Sequence, residues 1–112
     1  MTDVRAEVAR LYEQHRKMRY PNGQRGTEVA GVELILVDAD AAGCVSCWLK
    51  SRDDLDDHVL WWAPRCLDDL RKVVPVFADP RSEYYRPYAV HYYGRLLRMV
   101  QLITLELVAE VA

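Results

Sequence analysis

Phenylalanine is almost missing from this chain: one residue against seven tyrosines and three tryptophans. Three histidines, His15, His58 and His91, lie far apart, so no helix carries a two-histidine metal motif. The five glycines are scattered and build no phosphate-cradling loop, and no nucleophile motif is present. Cysteines number three, too few and odd for a disulfide framework. Cys44, Cys47 and Cys66 sit among apolar neighbours and read as reduced, small buried side chains. No apolar run approaches the roughly 20 residues of a membrane span, because Glu33, Asp38 and Asp40 break the longest one. The opening Met1-Thr2-Asp3-Val4-Arg5 lacks a basic segment followed by an apolar one, so a cytoplasmic protein is the expectation.

A basic excess is also lacking. Fifteen Lys and Arg face seventeen Asp and Glu, for a formal net charge of −2. The sign changes along the chain: residues 1–26 carry +3, residues 27–70 carry −7 and residues 71–112 carry +2. Neutralising phosphates requires a dominant basic face, so nucleic acid is a poor partner and a basic protein a better one. The 112 residues are 51% hydrophobic and 29% charged, which is one ordinary globular domain with a radius of gyration near 13 Å.

Helical spacing organises what is there. Over residues 4–19, Val4, Val8, Leu11, Tyr12, His15 and Met18 share one face. Tyr20-Pro21-Asn22-Gly23 then ends the helix, with a loop to Gly26. Residues 27–50 read as a helix capped by Thr27, with Leu34, Val37, Ala41, Val45 and Trp48 on one arc. A β-hairpin at 32–49, suggested by β-branched residues and Gly43, is the rival. Residues 54–74 give the clearest helix, capped by Asp53 or Asp54, with Pro64 on its polar face bending but not ending it. Asp79-Pro80 reads as a cap opening a fourth helix that runs from about 81 to 110. The expected fold is therefore all-α, an antiparallel four-helix bundle formed by residues 1–112 as a single helical domain, with an α+β arrangement as alternative.

Several constellations bear on function. Cys44 and Cys47 form a C-x-x-C, but antiparallel helices set Cys66 about 13 Å further along, so no metal and no cofactor is expected. His15 and Asp38 are the buried acid–base candidates; counting back from a turn at Gly23 separates them by about 10 Å and argues against a pair. Tyr84, Tyr85, Tyr88 and Tyr92 share a face of the fourth helix, and Trp62 comes level with Tyr92, which suggests a ligand pocket formed by Trp62, Tyr88, His91 and Tyr92. Trp61 falls on the polar side of the third helix, one turn from both His58 and Arg65. Exposed indoles flanked by arginine favour recognition over stability. Finally, a fourth helix longer than the third leaves an overhang whose apolar residues point all round the axis, and Leu102, Ile103, Leu105, Leu107 and Val108 are expected to self-associate as a homo-oligomer.

The reading that joins these features is a non-enzymatic interaction module, of the immunity, antitoxin or small regulatory and accessory kind. It would bind a basic protein partner through Asp53, Asp54, Asp57, His58, Trp61 and Arg65 beside the acidic pair Asp68-Asp69. A small-molecule-binding protein or small enzyme using the tyrosine-lined space is the alternative.

Overall fold

A computed structural model describes residues 3–23, 26–51 and 57–111. Four helices form the bundle: α1 (Val4–Arg16), α2 (Leu34–Lys50), α3 (Asp57–Ala78) and α4 (Pro87–Val111). A two-stranded hairpin, β1 (Glu28–Val29) and β2 (Val32–Glu33), precedes α2. The fold class is all-α, as the periodicity indicates. The extents are 43 × 25 × 23 Å and the radius of gyration is 14.1 Å. No helix among the described residues is long and apolar enough to cross a membrane.

Asp3 caps α1, its carboxylate accepting from the Ala6 amide at 3.3 Å. The helix stops at Arg16, three residues before the expected end, as the chain turns toward Pro21. Val8 and His15 are its buried residues. Arg5 crosses to α2, donating to the Trp48 and Leu49 carbonyls at 3.1 Å each, with its guanidinium 4.4 Å from the Trp48 ring centre. A cation there satisfies orphan carbonyls at the negative end of the α2 dipole.

Residues 27–33 depart from the expected helix. Glu28 pairs with Glu33 and Val29 with Val32, around a two-residue turn in which Ala30 (φ 53°) and Gly31 (φ 80°) are both left-handed. Positive φ at both central residues is the type I′ pattern, whose twist matches paired strands. Thr27 therefore caps no helix; its carbonyl accepts from the Leu34 amide at 3.0 Å and closes the hairpin. Val29 and Val32 are buried against the helices. The rival hairpin at 32–49 is also displaced, since residues 34–50 are helical, with Leu34, Val37, Ala41, Cys44, Val45 and Trp48 buried at helical spacing.

Expected to turn at 75–80, α3 instead runs through both Pro64 and Pro75 to Ala78. Both prolines are exposed, so the carbonyls they leave without an amide face water. The fourth helix starts six residues later than the sequence suggests. Asp79 accepts from the Arg81 amide at 2.9 Å and Ser82 Oγ from the Tyr84 amide at 3.0 Å, so local side-chain bonds win over helix in this stretch. The Arg86 amide then bonds the Phe77 carbonyl, and Pro87 opens α4. Tyr84 and Tyr85 consequently lie in the turn, exposed, and share no helix face with Tyr92.

The lengthened α3 and shortened α4 remove the expected overhang. Ile103 and Leu107 are buried in the chain's own core, alongside Ala89, Tyr93, Leu96, Met99 and Val100 on α4. They are unavailable for self-association. Leu102 is half-buried, while Leu105 and Val108 stay exposed.

Candidate functional site

Gly43, in the middle of α2, leaves room for an aromatic ring: a Cβ there would lie 2.9 Å from Cη2 of Trp62. Held at that height, the Trp62 indole stacks edge-on to His58, with ring centres 5.0 Å apart. Trp61, the residue before it on α3, is 57% exposed, with the Arg65 guanidinium 4.0 Å from its ring centre. Around them opens a groove of about 530 Å³ between α2 and α3, walled by Asp40 on one side and by Asp68, Asp69 and Lys72 on the other, with Cys66 among the residues lining it. Three carboxylates thus share the groove with two cations, Arg65 and Lys72, and the Arg65 guanidinium shows that the Trp61 face accepts a cationic group.

Of the six residues expected to bind a partner, the structure brings together His58, Trp61 and Arg65. Asp53 and Asp54 lie outside the described residues, and Asp57 opens α3 with its side chain outside the description. Sequence reasoning missed Asp40 and Trp62 as groove residues. The signal that could have found them was Gly43, a poor helix former kept in mid-helix where a large ring needs the space.

The proposed pocket residues separate. Trp62 belongs to the groove, whereas Tyr93 is level with Phe77, their rings stacked at 5.4 Å. Fifteen residues of α3 separate Phe77 from Trp62, about 22 Å of helix. Tyr88 reaches the Arg19 carbonyl, and His91 is exposed. Tyr92 sits in a second cluster, formed with Asp38 of α2, His15 of α1 and Tyr20. Its hydroxyl donates to Asp38 Oδ1 at 2.7 Å, and its ring lies 4.5 Å from His15, 5.6 Å from Tyr20 and 5.2 Å from Tyr93. His15 and Asp38 therefore meet on one tyrosine, contrary to the count that set them apart.

Protonation in this cluster follows from burial. His15 is buried with no hydrogen bond to Nδ1 among the described residues, and desolvation, helped by the Arg95 charge, holds its pKa down at about 4. Burial raises the Asp38 carboxyl above its ordinary value, opposed by the Tyr92 hydrogen bond. Burial and their hydroxyl bonds push Tyr92 and Tyr93 far above the phenol range, Tyr93 donating to Tyr20 at 2.9 Å. At neutral pH Tyr92 and Tyr93 are fixed donors, to Asp38 and Tyr20, and the histidine is neutral. Among the described residues no three His, Cys, Asp or Glu side chains gather as a metal would require, and Cys44 and Cys66 are buried core side chains. Comparison with protein families, with curated proteins and with solved structures finds no match for the chain.

Proposed function

We propose that this chain is a non-enzymatic interaction module that grips a basic segment of a protein partner in the α2–α3 groove. The observation that carries the reading is Trp61, a large indole left 57% exposed at the rim of a groove whose walls hold three carboxylates. A partner's lysine or arginine that takes the place of Arg65 on the Trp61 ring gains an indole face and a carboxylate together, which is how tryptophan and charge build binding hot spots. The acidic run Asp53, Asp54, Asp56 and Asp57 adjoins the same end of α3 in sequence and adds attraction for a basic chain. The alternative, a Tyr/Trp-lined ligand pocket, has less support, because its residues fall in two clusters and the tyrosines are packed on one another. Self-association has less support too, since only Leu102, Leu105 and Val108 remain of the surface expected to drive it.

The test is fluorescence anisotropy with a labelled arginine-rich decapeptide and, beside it, an acidic peptide of the same length. Saturable binding of the basic peptide, weakened by salt, is expected. Trp61→Ala should weaken it by about tenfold or more while moving the melting temperature by no more than about 2 °C. Equal binding by the variant, preference for the acidic peptide, or a large loss of stability would each overturn the reading.

A further inference from the structure

On its opposite flank α3 meets α4 in a second groove, and its chemistry is the reverse of the first. The cavity, about 290 Å³, is lined by Leu67 and Arg71 from α3 and by Arg98, Gln101, Thr104 and Leu105 from α4. Among the described residues no carboxylate lines it. Leu67 forms an apolar floor, 8% exposed, and Leu105 an apolar rim, 66% exposed. Two arginines from two helices converge on one small space.

Most arginines among the described residues have found partners. Arg5 holds the end of α2, Arg10 and Arg16 pair with glutamates on their own helix, Arg81 pairs with Asp79, and Arg86 donates to the Asn22 carbonyl. Arg71 and Arg98 make no hydrogen bond or ion pair among the described residues. Arg98 does feel the Glu7 charge from α1, but the hydrogen bonds of the Glu7 carboxylate go to Arg10 at 2.6 and 3.1 Å. The Thr104 hydroxyl proton is spent on the Val100 carbonyl at 2.8 Å. That leaves two guanidinium groups and the Gln101 amide as donors around a leucine-lined hollow.

We infer that the α3–α4 groove is a binding site for a small amphipathic carboxylate, an aliphatic acid whose anionic head pairs with Arg71 and Arg98 while its tail lies along Leu67 and Leu105. Guanidinium groups match a carboxylate's two oxygens in geometry as well as charge. A bare inorganic anion would leave the leucines uncovered, and a neutral hydrocarbon would leave the arginines unmatched. The volume, at the lower edge of the range for small-molecule sites, suits a chain of a few to about eight carbons rather than a long lipid.

Amide chemical shifts of the full chain, titrated with butanoate, hexanoate and octanoate at fixed pH and salt, test this. Saturable shifts are expected at residues 67–71 and 98–105, with affinity rising about two- to fourfold per added methylene. Octan-1-ol and inorganic phosphate should each bind at least about tenfold more weakly than octanoate. Arg71→Gln and Arg98→Gln, both at exposed positions, should each weaken octanoate by about fivefold or more, with unchanged melting temperatures. Octanol equal to octanoate, phosphate equal to octanoate, unaltered affinity in both variants, or shifts confined to other residues would overturn the assignment. The Trp61 groove plays no part in these readouts, so either reading can fail alone.

Discussion

Replacing Tyr92 with phenylalanine keeps the ring against His15, Tyr20 and Tyr93 and removes only the hydroxyl that bonds Asp38 Oδ1 at 2.7 Å. A hydrogen bond to a charged acceptor contributes about 1.5–3 kcal/mol, and one between neutral groups about 0.5–1.5 kcal/mol. Because Asp38 is only half-buried, solvent replaces part of the lost bond, and about 1–2 kcal/mol is expected at pH 7. For a chain of this length that is a fall of about 4–8 °C in melting temperature. The loss should depend on pH. The folded Asp38 pKa is raised above its unfolded value of 3.8, so this group favours the fold below that value and its contribution is lost as pH rises through the folded pKa. The Tyr92 bond opposes that rise by stabilising the carboxylate. Without it the folded pKa climbs further, and the variant is penalised most where wild-type Asp38 is ionised. At pH 3 the carboxyl is protonated in both proteins, and the difference should shrink to about 0.5–1 kcal/mol. Urea unfolding followed by circular dichroism at pH 3 and pH 7, with the Asp38→Ala cycle, measures both terms. An equal loss at the two pH values, or no coupling between the two positions, would refute the reasoning.

His15 governs the acid side in the opposite sense. Its folded pKa of about 4 lies below the unfolded 6.5, so stability is full above pH 6.5 and falls between 6.5 and 4 by at most about 3 kcal/mol. In His15→Met the urea midpoint should lose this dependence; an unchanged acid slope would sink the claim. Ala30 occupies a left-handed turn position with φ 53°, beside Gly31, so Ala30→Asn creates the favoured Asn-Gly pair and should raise stability by about 0.5–1 kcal/mol in thermal melts. A loss there would mean the turn is not type I′. Gly43→Ala should destabilise by about 1 kcal/mol, the crowding against Trp62 exceeding the helix-propensity gain of about 1 kcal/mol, yet stabilise in a Trp62→Leu background. The same sign in both backgrounds would show that Trp62 does not set the cost.

The helices were legible because each carries a buried stripe at helical spacing, and the connections were not. Nothing in Thr27–Gly31 announces a hairpin: Ala-Gly is no favoured turn pair, and two-residue strands are too short to show alternation. That short hairpin moves the start of α2 to Leu34. Asp38 is then one turn from the beginning of α2 and His15 one residue from the end of α1, so both fall at the same end of the bundle and both reach Tyr92. Counting levels from Gly23 placed them apart because it assumed that helix began where the turn ended. The displacement of Trp62 from Tyr92 has the same origin. Asp79-Pro80 resembles a helix cap, but Asp79 and Ser82 bond their own backbone, and α4 enters six residues late. Facing positions in an antiparallel pair shift by the full error in the turn, so a site built from level-matching fails while the helices themselves survive.

The exposure of Trp61 was legible because it depends on one helix alone. The spacing of His58, Trp61 and Arg65 within α3 is fixed by helical geometry, whatever α2 or α4 does, and the structure keeps all three along one groove. What the sequence could not supply was the opposite wall, Asp40, which enters only through the register of α2. The same logic separates the surfaces of α3. Leu67 and Arg71 are one turn apart on its far flank, while their partners Arg98, Gln101 and Leu105 depend on where α4 begins. Moving that start by six residues carries Arg98 about 9 Å along the axis, more than a helical turn, and dissolves the pairing with Arg71. The α3–α4 groove therefore depends on the turn at 79–86, so a change in that turn that leaves every groove residue intact should still weaken the octanoate binding proposed for it.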